Sequence, residues 1–147
     1  MRASGRQHPV QPLKWCCPVT LEFTPWPDHH AKLYRAKGYW IDEPLFHGIV
    51  NQARLRPDAT AIVCGERAFS YADVDRLSSN LAARLSAYGL GRGDTALVQL
   101  PNVAEFYLTF IALLKVGVAP VNALYNHRSH ELSAYAAQLQ PKLVIGC

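Results

Sequence analysis

Few residues of this chain are spaced for chemistry. His127 and His130 stand three apart near an expected helix start, where two imidazoles on one face can hold zinc. No third ligand pattern accompanies them, and turn or surface histidines are the simpler reading. His29 and His30 are adjacent and cannot face one metal from a regular helix. Asp73 and Asp75 have the types for an acid–base pair, but their place in a first helical turn favours a purely electrostatic role at the helix N-terminus. The run Gly89-Leu90-Gly91-Arg92-Gly93-Asp94 has the glycines of a nucleotide loop in the wrong context. A dinucleotide fingerprint follows a strand and opens a helix; this run follows a helical pattern and precedes a strand, so it reads as a plain turn. Neither G-x-S-x-G nor G-x-x-x-x-G-K-[ST] occurs. Cys16, Cys17, Cys64 and Cys147 form no C-x-x-C pair, and free thiols in a reducing cytosol are expected. These residue types assemble no complete site.

The elements are clearer than the chemistry. Thr95 to Leu100 is short and apolar enough for a buried strand. Asn102 is placed to cap a helix, with Glu105 three residues on reaching back to the Asn102 amide. The helix, Val103 to Leu114, is apolar on most sides, which normally means burial on several faces. Gly117 stands where a C-cap wants positive φ, and Val118 to Val121 resumes an extended run in which Pro120 forbids helix. A strand–helix–strand unit of this length predicts a parallel pair in one sheet.

Upstream, Phe23-Thr24-Pro25-Trp26-Pro27 is extended by its prolines. Asp28 is expected to cap a short helix ended by Gly38, with Tyr39-Trp40 as an aromatic anchor. Pro44 suits the first turn of a helix carrying Leu45, Phe46, Ile49, Val50 and Ala53. Thr60–Cys64 and Arg67–Phe69 read as a hairpin about Gly65-Glu66. Ser70 caps a helix with Asp73 at its third position, and Val74, Leu77, Leu81, Leu85 and Tyr88 make its apolar stripe. A helix from about Ser129 to Gln140, stopped by Pro141, precedes a buried strand Leu143-Val144-Ile145. The alternation predicts an α/β fold, a layered parallel or mixed sheet with helices. Such a sheet is expected to continue with another crossover past Cys147.

Composition sets limits. Half of the 147 residues are hydrophobic and 18% are charged, a globular mixture. Three of the four net positive charges fall on Arg2, Arg6 and Lys14, so no basic face invites nucleic acid. Residues 1–22 are expected to be a disordered tail, of which 1–18 lack periodicity and are expected to be dispensable for melting and turnover; residues 23–147 form the folded part. No apolar run is long enough for a membrane helix, and prolines interrupt any secretory h-region. A cytoplasmic protein is expected.

Two segments carry a family resemblance. Phe69-Ser70-Tyr71-Ala72-Asp73-Val74 resembles the first core motif of adenylate-forming enzymes, and Leu114-Lys115-Val116-Gly117-Val118-Ala119-Pro120-Val121 resembles the second. Phe23 to Pro27, Tyr34 to Trp40, Thr95 to Leu100, Asn102 to Glu105 and Ala112 to Lys115 extend the likeness to 2,3-dihydroxybenzoate–AMP ligases of siderophore assembly. Ala119-Pro120-Val121-Asn122 departs from the amino-acid-activating relatives and fits the aryl-acid group.

The resemblance implies the N-terminal portion of the large domain of such a ligase, with ATP and Mg as cofactors. It implies an aryl acid, 2,3-dihydroxybenzoate or salicylate, as substrate, and a carrier protein bearing phosphopantetheine as partner. The family's phosphate loop, aryl pocket, ribose-binding Asp and catalytic Lys all lie downstream of this sequence. Hence no residue here is assigned a catalytic, cofactor-binding or metal role, and the chain alone is expected to be inactive. Lys115 belongs to the second core motif, where a structural role is expected. A non-catalytic binding module, or a fragment of another acyl-CoA synthetase-like ligase, stays open as an alternative.

Overall fold

The computed structural model describes residues 24–146. The tail expected over residues 1–22 lies outside them, as do Cys16, Cys17 and Cys147. The elements in order are α1 (Asp28–Ala36), α2 (His47–Leu55), β1 (Thr60–Cys64), β2 (Arg67–Ser70), α3 (Tyr71–Ala87), β3 (Thr95–Gln99), α4 (Ala104–Val116), β4 (Ala119–Asn122), α5 (Ser129–Leu139) and β5 (Leu143–Gly146).

Strand β3 is the centre. It pairs in parallel with β4 on one side and β5 on the other, giving the order β4-β3-β5. Thr95 to Val98 are buried without alternation, as expected for a central parallel strand covered on both faces. Pro120 is tolerated because β4 is an edge of this sheet among the described residues. The connection from β4 through α5 passes to the far side of β3, so the strand order reverses there. The core joins Ala82, Leu85 and Leu90 to Ala96, Val98, Ala112, Leu113 and Val118.

Strands β1 and β2 form a separate antiparallel hairpin about Gly65 at φ 60°. It leads directly into α3 through the expected capping box. The Asp73 amide donates to Ser70 Oγ at 3.1 Å, and the Ser70 amide donates to Asp73 Oδ2 at 3.2 Å. Ser70→Ala should therefore cost about 1 kcal/mol, seen as a lower urea midpoint at unchanged slope. An unchanged midpoint would show that the cap is energetically idle.

Several expectations need correction. Asn102 does not cap α4; Val103 holds the cap position without a side-chain bond. The Glu105 carboxylate is drawn instead to Arg67, 38 residues back, at 2.6 and 3.1 Å. Asp28 is the first residue of α1, and Pro27 precedes it. Tyr88 is exposed because α3 ends at Ala87. Val144 is exposed, because burial alternates along β5 and one face of that strand is open. Helix α4 is not among these corrections: with few elements here to cover it, it buries Ala104, Thr109, Ile111, Ala112 and Leu113 and leaves Tyr107 49% exposed.

Candidate functional site

The first motif segment runs into α3 and the second leaves α4; these two helices pack against each other, and one lysine joins them. Lys115 leaves α4 with its side chain 10% exposed. Its Nζ donates to Asp75 Oδ1 at 2.6 Å, the Asp75 carbonyl at 3.0 Å, Ser78 Oγ at 2.9 Å and Ser79 Oγ at 2.8 Å. Asp75 is therefore the anion that holds Lys115, which corrects the expectation of a purely electrostatic N-terminal role. An ammonium surrounded by acceptors on a neighbouring helix is a strut.

A second bridge fixes the hairpin to α4. The Arg67 guanidinium spans both Glu105 oxygens and holds that carboxyl down to about 2, chiefly by hydrogen bonding. The folded value lies below the ordinary 4.5, so the pair's contribution is full above pH 4.5 and fades as pH falls towards 2. Both groups are about half exposed, and a modest effect is expected. Glu105→Gln should flatten the dependence of Tm on pH across that window; an unaltered profile would show that the bridge does not form in solution.

The glycine run makes a turn, as its context requires. The Gly91 amide donates to Asp94 Oδ2 at 2.8 Å. Lys142 Nζ donates to the Gly89 carbonyl at 2.6 Å and to the same Asp94 oxygen at 3.0 Å. Lys142 and the Gly91 amide keep the Asp94 carboxyl below its usual value. The run opens no helix.

The carboxyl end of β3 is where an open α/β sheet most readily binds ligands, since the strand order reverses there. Gln99 occupies it. Its Nε2 lies 2.8 Å from the His127 carbonyl, 3.2 Å from that of Leu124 and 3.3 Å from that of Tyr125. The amide thus pins the turn after β4. His127 stacks obliquely on Tyr135 with centroids 5.6 Å apart, while His130 is exposed. The rings of His29 and His30 lie 4.2 Å apart on α1. No group of three His, Cys, Asp or Glu side chains fit to hold a metal occurs among the described residues. Sequence reasoning missed Gln99, the Lys115–Asp75 pair and the Arg67–Glu105 bridge, because each works across more than twenty residues of chain.

This fold and these two joined segments place the chain among known proteins. Residues 49–147 match the AMP-binding enzyme family, and the chain belongs to that family. It is 58% identical over 127 residues to pseudomonine synthase PmsE of Pseudomonas entomophila, covering 86% of this chain and 21% of that protein. It is 40% identical over 124 residues to the vibriobactin-specific 2,3-dihydroxybenzoate-AMP ligase of Vibrio cholerae, covering 84% of this chain and 23% of that one. Among solved structures, apo MbtA of Mycobacterium smegmatis superposes with a TM-score of 0.80 at 39% identity, over 83% of this chain and 23% of that chain. The chain thus spans about a fifth to a quarter of the length of the relatives it matches.

Asp73, Asp75, Asp94 and Glu105 are each committed to a cap or a cation. The glycines turn the chain between helix and strand rather than opening a helix. No helix among the described residues is long and apolar enough to cross a membrane.

Proposed function

We propose that this chain is the N-terminal part of an aryl-acid–AMP ligase of siderophore biosynthesis, acting in the cytoplasm. In the whole protein an aryl carboxylate, 2,3-dihydroxybenzoate or salicylate, attacks the α-phosphorus of ATP. The bond to the β-phosphate oxygen breaks, pyrophosphate leaves, and an aryl adenylate remains. A carrier-protein pantetheine thiol then attacks the carbonyl carbon, loses its proton and forms an aroyl thioester, as the bond to the phosphate oxygen breaks and AMP leaves. The observation that carries this reading is the 40% identity, sustained over 124 residues, to the vibriobactin-specific 2,3-dihydroxybenzoate-AMP ligase.

Such transfer depends on positioned charge around the phosphates, commonly with magnesium. This chain supplies none of that; its part is to form the sheet and helix layer on which the remainder is built. Arg67, Asp75, Glu105 and Lys115 hold that layer together. The test uses the protein encoded by this sequence with its downstream coding region. With ATP, Mg and a phosphopantetheinylated aryl carrier protein, 2,3-dihydroxybenzoate or salicylate should add one aryl mass to the carrier. Turnover confined to amino acids or fatty acids would refute the aryl assignment.

A further inference from the structure

Residues 24–42 close on themselves. Helix α1 buries no residue, and no extensive packing joins it to another helix or strand. After it the chain turns back at Gly38, φ 70°, and the Tyr39 and Trp40 amides both donate to the Tyr34 carbonyl, at 2.9 and 3.3 Å. That return sets three rings edge to face. The Trp26 centroid stands 6.0 Å from that of Tyr34 and 5.7 Å from that of Trp40, and Tyr34 and Trp40 are 5.4 Å apart. Aromatic pairs at such spacings attract beyond the area they cover.

One side chain ties the ends of this turn together. The Arg35 guanidinium lies 5.4 Å from the Trp40 ring centroid, and it donates to both Asp42 oxygens, from Nε at 2.8 Å and from Nη2 at 3.1 Å. Asp42 holds φ 52°, a left-handed backbone that aspartate adopts more readily than most residues. The next side-chain link, Glu43 Oε2 to His47 Nδ1 at 2.8 Å, already belongs to the start of α2. The core of the sheet layer is made of residues from Ala82 to Val118 and includes none from this segment.

We infer that residues 24–42 form an arm that opens and closes as one cooperative unit, latched by Arg35, while the sheet layer stays folded. A segment with no buried helical residue and few ties to the rest opens at lower free energy than the core. The ring cluster and the bidentate latch bind its two halves to each other, so they open together. The inference does not depend on what the whole protein catalyses.

Two measurements test it. Trp15→Phe leaves Trp26 and Trp40 as the only tryptophans of the 147-residue chain, so its fluorescence then reports on the arm. The urea midpoint should be lower by fluorescence than by far-UV circular dichroism, and Arg35→Gln should lower only the first. Coincident midpoints would overturn the inference. Amide hydrogen exchange extends the test to the protein with its downstream coding sequence. The bonded amides of Ala31, Lys37 and Tyr39 should share one level of protection, below that of β3. Arg35→Gln should reduce that level roughly 10-fold without altering β3. Arg35→Lys, which keeps the charge but not the fork, should fall between. Protection equal to that of β3 would make the arm part of the core and overturn the inference. Protection that falls steadily from Tyr39 to Ala31 and ignores Arg35→Gln would show a frayed terminus in place of a latched unit.

Discussion

Replacing Lys115 with alanine is expected to destabilise the protein by about 2–4 kcal/mol, somewhat below the figure for a fully buried pair because Asp75 is one-third exposed. The loss has two parts. The ammonium gives up four acceptors on α3, and the Asp75 carboxylate is left without its cation. The second part can be separated. Lys115→Met combined with Asp75→Asn removes the stranded charge and should cost less than Lys115→Met alone. Urea melts of the three variants measure this. A loss under about 0.5 kcal/mol for Lys115→Ala would place the lysine among ordinary surface residues. In the extended protein, a normally melting Lys115→Ala that had lost adenylation would contradict the structural role.

Gly117→Val is the second large effect, expected at about 2–4 kcal/mol from two costs acting together. Gly117 has φ 88°, which a β-branched residue resists. A Cβ there would also stand 3.3 Å from both the Cα and the Cβ of Arg92, so the turn before β3 would have to give way. Gly117→Ala meets the same backbone and the same neighbour with a smaller side chain, and should fall between. Soluble, normally melting Gly117→Val protein with selective loss of activity in the extended enzyme would make Gly117 a site residue.

These two positions show what the sequence could and could not convey. Gly117, the Ser70 cap and the Gly65 hairpin are written in a few adjacent residues. Their physics is local, since a positive φ or a cap depends on neighbours only. The parallel pairing of β3 with β4 followed from the length of one crossover. The partners of Lys115 and Glu105 lie 36 to 40 residues away, and no periodicity announces them. Glu105 illustrates the competition. Local rules assign it to the Asn102 amide, yet the Arg67 guanidinium offers two charge-assisted bonds and wins. The family was legible from two short motifs. No catalytic motif was legible in these residues, and the charged groups Arg67, Asp75, Glu105 and Lys115 join elements of the fold.

Pyrophosphate exchange tests the central claim most directly. Labelled pyrophosphate, ATP and either 2,3-dihydroxybenzoate or salicylate are given to the 147-residue chain and to the protein extended by its downstream coding sequence, with light scattering on each sample. The extended protein should exchange label into ATP only when an aryl acid is present, and the 147-residue chain should not exchange at all. Aryl-acid-dependent exchange by the monodisperse 147-residue chain, or none by a folded extended protein with either acid, would contradict it.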